Sequence, residues 1–173
     1  MPGPIIATSC IVAVCAIIVG AMALGWRRRQ RTQTALGTPD ALPEGLGEPR
    51  FAVDDAHYVA TSTTGNALDR IAVRPLAYRG RATVEVHSDG LAVGIAGEDA
   101  FFIPVNKLET VAVAQATIDR AVERDGLIVV RWLLDPDHSV ETYLRVVNPE
   151  HREKLIARIG DLIEPAPTTQ ETA

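Results

Sequence analysis

Cysteine is nearly absent: the 173-residue chain has two, Cys10 and Cys15, both inside one apolar run near the N-terminus. The rest therefore has neither a disulfide framework nor a thiolate metal site, which suits a reducing compartment. Motifs for chemistry are missing too. Ser62 and Ser88 lack a G-x-S-x-G setting and a locatable His and acid partner. Gly94 and Gly97 flank Ile95-Ala96 without forming a strand-to-helix phosphate loop. Asp135-Pro136-Asp137-His138 has the composition of a hairpin turn, and Asp54, Asp55 and His57 lie beside a linker; neither group has a second cluster to complete a metal shell. His87 and His151 read as single solvated positions. No catalytic residue, metal ligand or cofactor site is expected, and the chain does not read as an enzyme.

What is present in quantity is an uncharged stretch, Ile5 to Trp26, of 22 residues. As a helix it would be roughly 33 Å long, enough for the hydrocarbon core of a bilayer. Trp26 suits the headgroup region, and Arg27, Arg28, Arg29 and Arg31 follow at once, whereas Met1 to Pro4 carry only the terminal amine. The positive-inside rule then places the N-terminus outside and the rest in the cytoplasm, at the plasma membrane. A cleaved signal peptide ending near Ala21-Met22-Ala23 fits less well, because the basic block lies on the wrong side of the run. A lipobox at Cys10 is set aside because too little chain precedes it. Ala16 to Gly20 and Ala21 to Gly25 are small-xxx-small pairs that would allow a homodimer through this helix, although such residues are common in membrane helices.

Four regions follow: 1–31, the anchor (helix 5–26) with its basic juxtamembrane segment; 32–50, a flexible linker rich in Gly and Pro; 51–163, one soluble domain; and 164–173, a disordered tail. Treated as a coil, the linker reaches about 25 Å, which keeps the domain near the membrane. Residues 51–163 carry 12 Lys and Arg against 17 Asp and Glu. That sign is a poor match for nucleic acid or anionic headgroups, so no nucleic-acid partner is expected.

Within the domain, Tyr58-Val59-Ala60 reads as a short strand, and Asn66 as the cap of a helical turn through Arg70. Ala82 to Ile95 alternates as a hairpin around Asp89-Gly90; pairing Ser88 with Leu91 sets Val86 opposite Val93 and Val84 opposite Ile95. Strands at Phe101 to Pro104 and Glu109 to Ala114 follow, the second burying Val111 and Val113. Residues 115 to 125 fit either a short helix or a long loop. Gly126 opens the run LIVVRWLL, which pairs with Val140 to Val147. Aligning Leu134 with Val140 collects Ile128, Val130, Trp132, Leu134, Val140, Thr142, Leu144 and Val146 on one nearly apolar face. Arg131, Glu141, Tyr143 and Arg145 share the other with Leu127, Val129 and Leu133. Asn148 as N-cap and Pro149 as first residue then start a helix with the stripe Leu155, Ile156, Ile159, Leu162 and Ile163.

The fold class is thus α+β, mainly β: about six or seven antiparallel strands closed by one amphipathic helix. Arg79-Gly80-Arg81-Ala82 enters the first well-signalled strand, Ile103-Pro104 follows the third, and Val130-Arg131-Trp132 lies in the penultimate one. On these residues the stretch from Leu68 to Ile163 resembles the bacterial branch of pleckstrin-homology-like (PH-like) domains, found in small single-pass membrane proteins of actinobacteria. The resemblance implies a bent sheet or partial barrel plugged by its last helix, a membrane-proximal setting and protein binding at a sheet edge. Members of the wider fold often bind inositol phosphates through Lys and Arg on the first hairpin. Here that tip is read as His87-Ser88-Asp89-Gly90, which is acidic, so phosphoinositide binding is not expected.

Arg131, Tyr143 and Arg145 form the candidate partner surface, since Arg and Tyr are favoured at interface hot spots and apolar residues share their face. Bending of the sheet would instead bury that face within the domain. The expected role is a non-enzymatic protein-binding or scaffolding module. The alternative is an accessory subunit of a membrane transport or export complex.

Overall fold

The computed structural model describes residues 11–24, 36–114 and 127–163. Contacts divide the chain into two units, Met1–Ala35 and Leu36–Ala173. In the first, residues 11–24 form a helix, α1, whose Ile11, Val12, Val14, Ile17, Ile18, Val19, Met22 and Leu24 are all exposed. Among the described residues no helix is long and apolar enough to cross a membrane. Trp26, the four arginines after it, residues 115–125 and the tail lie outside the described residues.

The second unit is built from β1 (Asp40–Ala41), β2 (Phe51–Thr63), β3 (Asn66–Arg70), β4 (Gly80–Val86), β5 (Gly90–Ile95), β6 (Phe101–Pro104), β7 (Leu108–Ala114), β8 (Leu127–Asp135), β9 (His138–Arg145) and α2 (Pro149–Ile163). The sheet runs β1-β6-β5-β4-β2-β9-β8-β7, and β3 pairs with β2 beside that path. Every pairing is antiparallel. Nine described strands replace the six or seven expected. The largest difference is β2: instead of a short strand at Tyr58 it is 13 residues long and central, pairing with both β4 and β9. Its register shifts between Val53 and Ala56 and again between Tyr58 and Ala60. Each irregularity breaks the alternation that would have marked a strand, and bulges also bend a sheet.

The expected helical turn at Asn66–Arg70 is the strand β3. Gly65, at φ 78°, closes the reversal that carries β2 into it, and Asn66 Oδ1 accepts the Leu68 N–H at 3.3 Å. Without a run of helical bonds to support, Asn66 serves a local turn. The linker expected over 32–50 is tied to the domain from its first described residue: Leu36 packs against the core, and Gly37 N donates to Asp135 Oδ2 at 3.1 Å. Asp40 and Ala41 add an edge strand to β6, and Lys107 Nζ holds the Asp40 carboxylate at 2.8 Å.

Both hairpins place the expected residues on the core face in a register offset by two residues. In β4–β5, Val84 faces Val93 and Val86 faces Leu91, because His87 N donates to Gly90 O (2.9 Å) and the reversal occupies Ser88-Asp89. Gly90 belongs to the strand: a Cβ there would stand 2.2 Å from the Ile103 carbonyl oxygen and 2.8 Å from Phe102 Cζ. In β8–β9, Trp132 faces Val140. Asp135 Oδ1 takes the Asp137 N–H at 3.0 Å and lies 2.7 Å from His138 Nδ1, which tightens the turn onto Pro136-Asp137. A shift between Leu133 and Asp135 absorbs the difference. A two-residue error keeps every side chain on its face, so the buried set survives it.

Val84, Val86, Leu91, Val93, Ile95, Phe101, Ile103, Ile128, Val130, Trp132, Leu134 and Leu144 fill the core, and α2 closes it with Leu155, Ile159 and Leu162. Asn148 Oδ1 accepts the Glu150 N–H at 2.9 Å, as its position before Pro149 predicts. A polar thread also crosses this core. Trp132 Nε1 donates to Thr142 Oγ1 (2.9 Å), Thr142 and Thr61 hydroxyls are 2.7 Å apart, Thr61 meets Tyr58, and Tyr58 donates to the Leu76 carbonyl (3.1 Å). The ends set its direction: indole can only donate and a carbonyl can only accept, so each hydroxyl gives one proton and receives one. Burial pushes the Tyr58 phenol well above its ordinary range, with the Thr61 bond and the Arg70 charge opposing.

Candidate protein interface

β7 ends the sheet. Among the described residues its only strand partner is β8, so alternate N–H and C=O groups of Leu108–Ala114 face away from the sheet. Edges of soluble sheets are commonly guarded by lysine, proline or a bulge in the exposed run. Here Thr110-Val111-Ala112-Val113-Ala114 has no charge, proline or glycine, and the only irregularity lies before it, between Leu108 and Thr110. The neighbouring Glu109 is drawn toward its own sheet, its Oε2 accepting from Ser139 Oγ at 2.6 Å. Both Val111 and Val113 are expected to be buried, but Val111 is only half-buried and Val113 is 44% exposed. Val113 occupies the core-side row opposite Ile128, yet among the described residues no further strand covers it. α2 packs against β7 and contributes the half-buried Ile156 and Ile163 to the core margin.

Strand registers align the outer-face residues in rows. Thr110, Arg131, Glu141 and Ser62 form one row; Ala112, Val129, Tyr143 and Ala60 the next; Ala114, Leu127, Arg145, His57 and Arg81 a third. The three residues of the expected partner surface therefore do share the outer face of β8 and β9, adjacent to the free edge. Their exposure differs. Arg131 Nη2 donates to Glu141 Oε1 at 2.7 Å, a cross-strand ion pair with the arginine side chain 42% exposed. Tyr143 is buried; its hydroxyl folds back along its own strand to Glu141 Oε2 at 2.9 Å. Burial, and then the adjacent Glu141 carboxylate, raise the Tyr143 pKa. Leu127 is buried as well, so the apolar area anticipated beside these residues is smaller than expected. Arg145 is exposed, in line with the exposed His57 and Arg81.

The free edge and the Arg81–His57–Arg145 row escape sequence reading, because both depend on which strands become neighbours. The one sequence signal for the edge is the uncharged TVAVA run. The tip at His87-Ser88-Asp89-Gly90, whose acidity underlies the expectation of no phosphoinositide binding, joins β4 to β5. The first hairpin that spans the sheet is β2 to β4, and its connection carries Arg70, Arg74 and Arg79. Arg74 Nη2 donates to Tyr78 Oη at 2.6 Å there. Asp135 and His138 serve the β8–β9 turn. Partial desolvation pushes the Asp135 carboxyl up, but bonds from Gly37 N–H, His138 and Asp137 N–H outweigh it and hold the pKa below the ordinary value.

No curated protein matches the chain. Among solved structures it is similar to a chain of the 8S snRNP assembly intermediate, at 9% identity and TM-score 0.48, covering 80% of this chain and 97% of that one. It is also similar to the C-terminal PH domain of human FYVE, RhoGEF and PH domain containing protein 3, at 11% identity and TM-score 0.44, covering 73% and 97% respectively. The family model described as Bacterial PH domain-like matches residues 36–160, beginning at Leu36, the first described residue to pack against the core. With that match spanning every described strand and most of the closing helix, the chain belongs to the Bacterial PH domain-like family.

Proposed function

We propose that this chain is a non-enzymatic binding module whose domain accepts an extended protein segment along β7, held at the cytoplasmic face of the plasma membrane by Ile5 to Trp26. The free, uncharged edge of β7 carries the reading. An added strand gains main-chain hydrogen bonds there, and side-chain rows on either face supply selectivity. Arg131 and Arg145 extend the contact along the outer face, with Glu141 holding Arg131 in place. Support for the anchor comes from the uncharged run followed by four arginines and from the exposed apolar residues of α1.

A photo-activated cross-linker at Ala112 in the full-length chain, in membranes, should capture a protein, while the same group at Ser88 should not. Equal capture at both positions would refute the edge as the binding site. Protease added outside intact cells should spare the domain; digestion would reverse the orientation. Exchanging Ile5 to Trp26 for an unrelated membrane anchor should leave capture at Ala112 unchanged. Loss of capture would favour the accessory-subunit role, in which the helix itself makes the contact.

A further inference from the structure

We infer that the segment accepted by β7 is the β7 strand of a second copy of this chain, paired about a two-fold axis through Ala112; the inference rests on the edge reading above. An antiparallel strand pair is self-complementary under two-fold rotation, so one edge can serve both partners. Centring on Ala112 uses the whole uncharged run: Val111 meets the partner's Val113, and Thr110 meets the partner's Ala114. Val113, 44% exposed and on the core-side face, then gains an aliphatic neighbour beside α2. Centring on Val111 would instead set the charged Glu109, whose Oε2 accepts from Ser139 Oγ at 2.6 Å, opposite the aliphatic Val113. The central register keeps Glu109 out of the uncharged five-residue pair.

The same facts limit the strength of the contact. One five-residue strand pair lies well below the roughly 1,000 Å² needed by a free-standing interface. Each domain also carries excess acid, 17 Asp and Glu against 12 Lys and Arg over residues 51–163. Pairing is therefore weak between free domains and becomes appreciable where both copies share one membrane, which raises their effective concentration. Because the paired edge is uncharged while the domains repel, added salt should favour the dimer, opposite to an interface held by ion pairs.

Disulfide trapping reads the register directly. Across an antiparallel pair the two Ala112 Cα atoms would lie about 4.5–5.5 Å apart, inside the range a disulfide spans. The full-length chain with Cys10→Ala and Cys15→Ala, oxidised in native membranes, should give about tenfold more covalent dimer with Ala112→Cys than with Ser88→Cys, as expected for a contact raised by co-localisation. Adding Val113→Lys, at a position open enough to leave the fold intact, should remove most of that dimer by placing a charge against the partner's Val111. Equal dimer yields at 112 and 88, or a yield insensitive to Val113→Lys, would overturn the inference. Photo-capture of a different protein at Ala112 without a disulfide dimer would overturn the second copy and leave the edge reading standing. No capture of any kind would remove both.

Discussion

Replacing Thr142 by Val tests whether the polar thread through the core contributes stability or merely coexists with it. Valine matches threonine in shape, so no cavity opens, and the effect isolates hydrogen bonding. Trp132 is 1% exposed, and its Nε1–H would lose its acceptor, Thr142 Oγ1 at 2.9 Å. Thr61 would lose the proton it receives from Thr142 at 2.7 Å, while keeping its own bond to Tyr58. An orphaned buried donor costs about 1–3 kcal/mol, and the weaker loss at Thr61 adds to it. The added methyl returns up to about 0.8 kcal/mol. The net expectation is a loss of about 2 kcal/mol, read as a lower denaturant midpoint with an unchanged slope. Thr61→Val should cost a similar amount. The double variant should cost about 1 kcal/mol less than the two together, because the bond between these hydroxyls can be broken only once. Near-ultraviolet circular dichroism of the full chain, through Trp132 and Tyr58, would follow unfolding. A Thr142→Val stability within about 0.5 kcal/mol of the parent, or strict additivity with Thr61→Val, would refute the directional thread.

Gly90→Ala should destabilise by about 3 kcal/mol or more, since its Cβ would stand 2.2 Å from the Ile103 carbonyl and β5 and β6 would have to separate; faster amide exchange in β6 would show it. Asn148→Ala removes the oxygen that caps α2 and should cost about 1 kcal/mol in denaturant titration. Asp135 has a lowered pKa in the folded state, so its contribution is present above the unfolded carboxyl value of 3.8 and is lost as pH falls through the lower folded value. Asp135→Asn should therefore flatten the acid limb of stability below about pH 4 and leave the basic limb unchanged; an unaltered acid limb would remove the carboxylate from the Gly37 contact.

Local chemistry was legible where one residue acts on its near neighbours. Asn148-Pro149 starts α2 as read, and the period of Leu155, Ile159 and Leu162 marks the face that closes the core. In both hairpins the alternation identifies which side chains are buried, while the observed cross-strand register is offset by two residues from the expected one. Asp89-Gly90 has the composition of a turn, yet Gly90 is there because β6 approaches its backbone. Asn66 carries the composition of a cap, and the hairpin through Gly65 makes it part of a strand.

By itself the sequence determined the uncharged N-terminal run with its arginines, the mainly β character, the buried faces and the closing helix, because these follow from periods of two and 3.6 and from capping within a few residues. Only the tertiary structure decided that β2 is the central strand, that Leu36 to Ala41 joins the domain, that Tyr143 lies buried against Glu141, and that β7 is left at the edge. Each of those depends on which distant segments become neighbours. Strand order is a property of the whole sheet, and no local pattern in TVAVA states which strands will pair beside it.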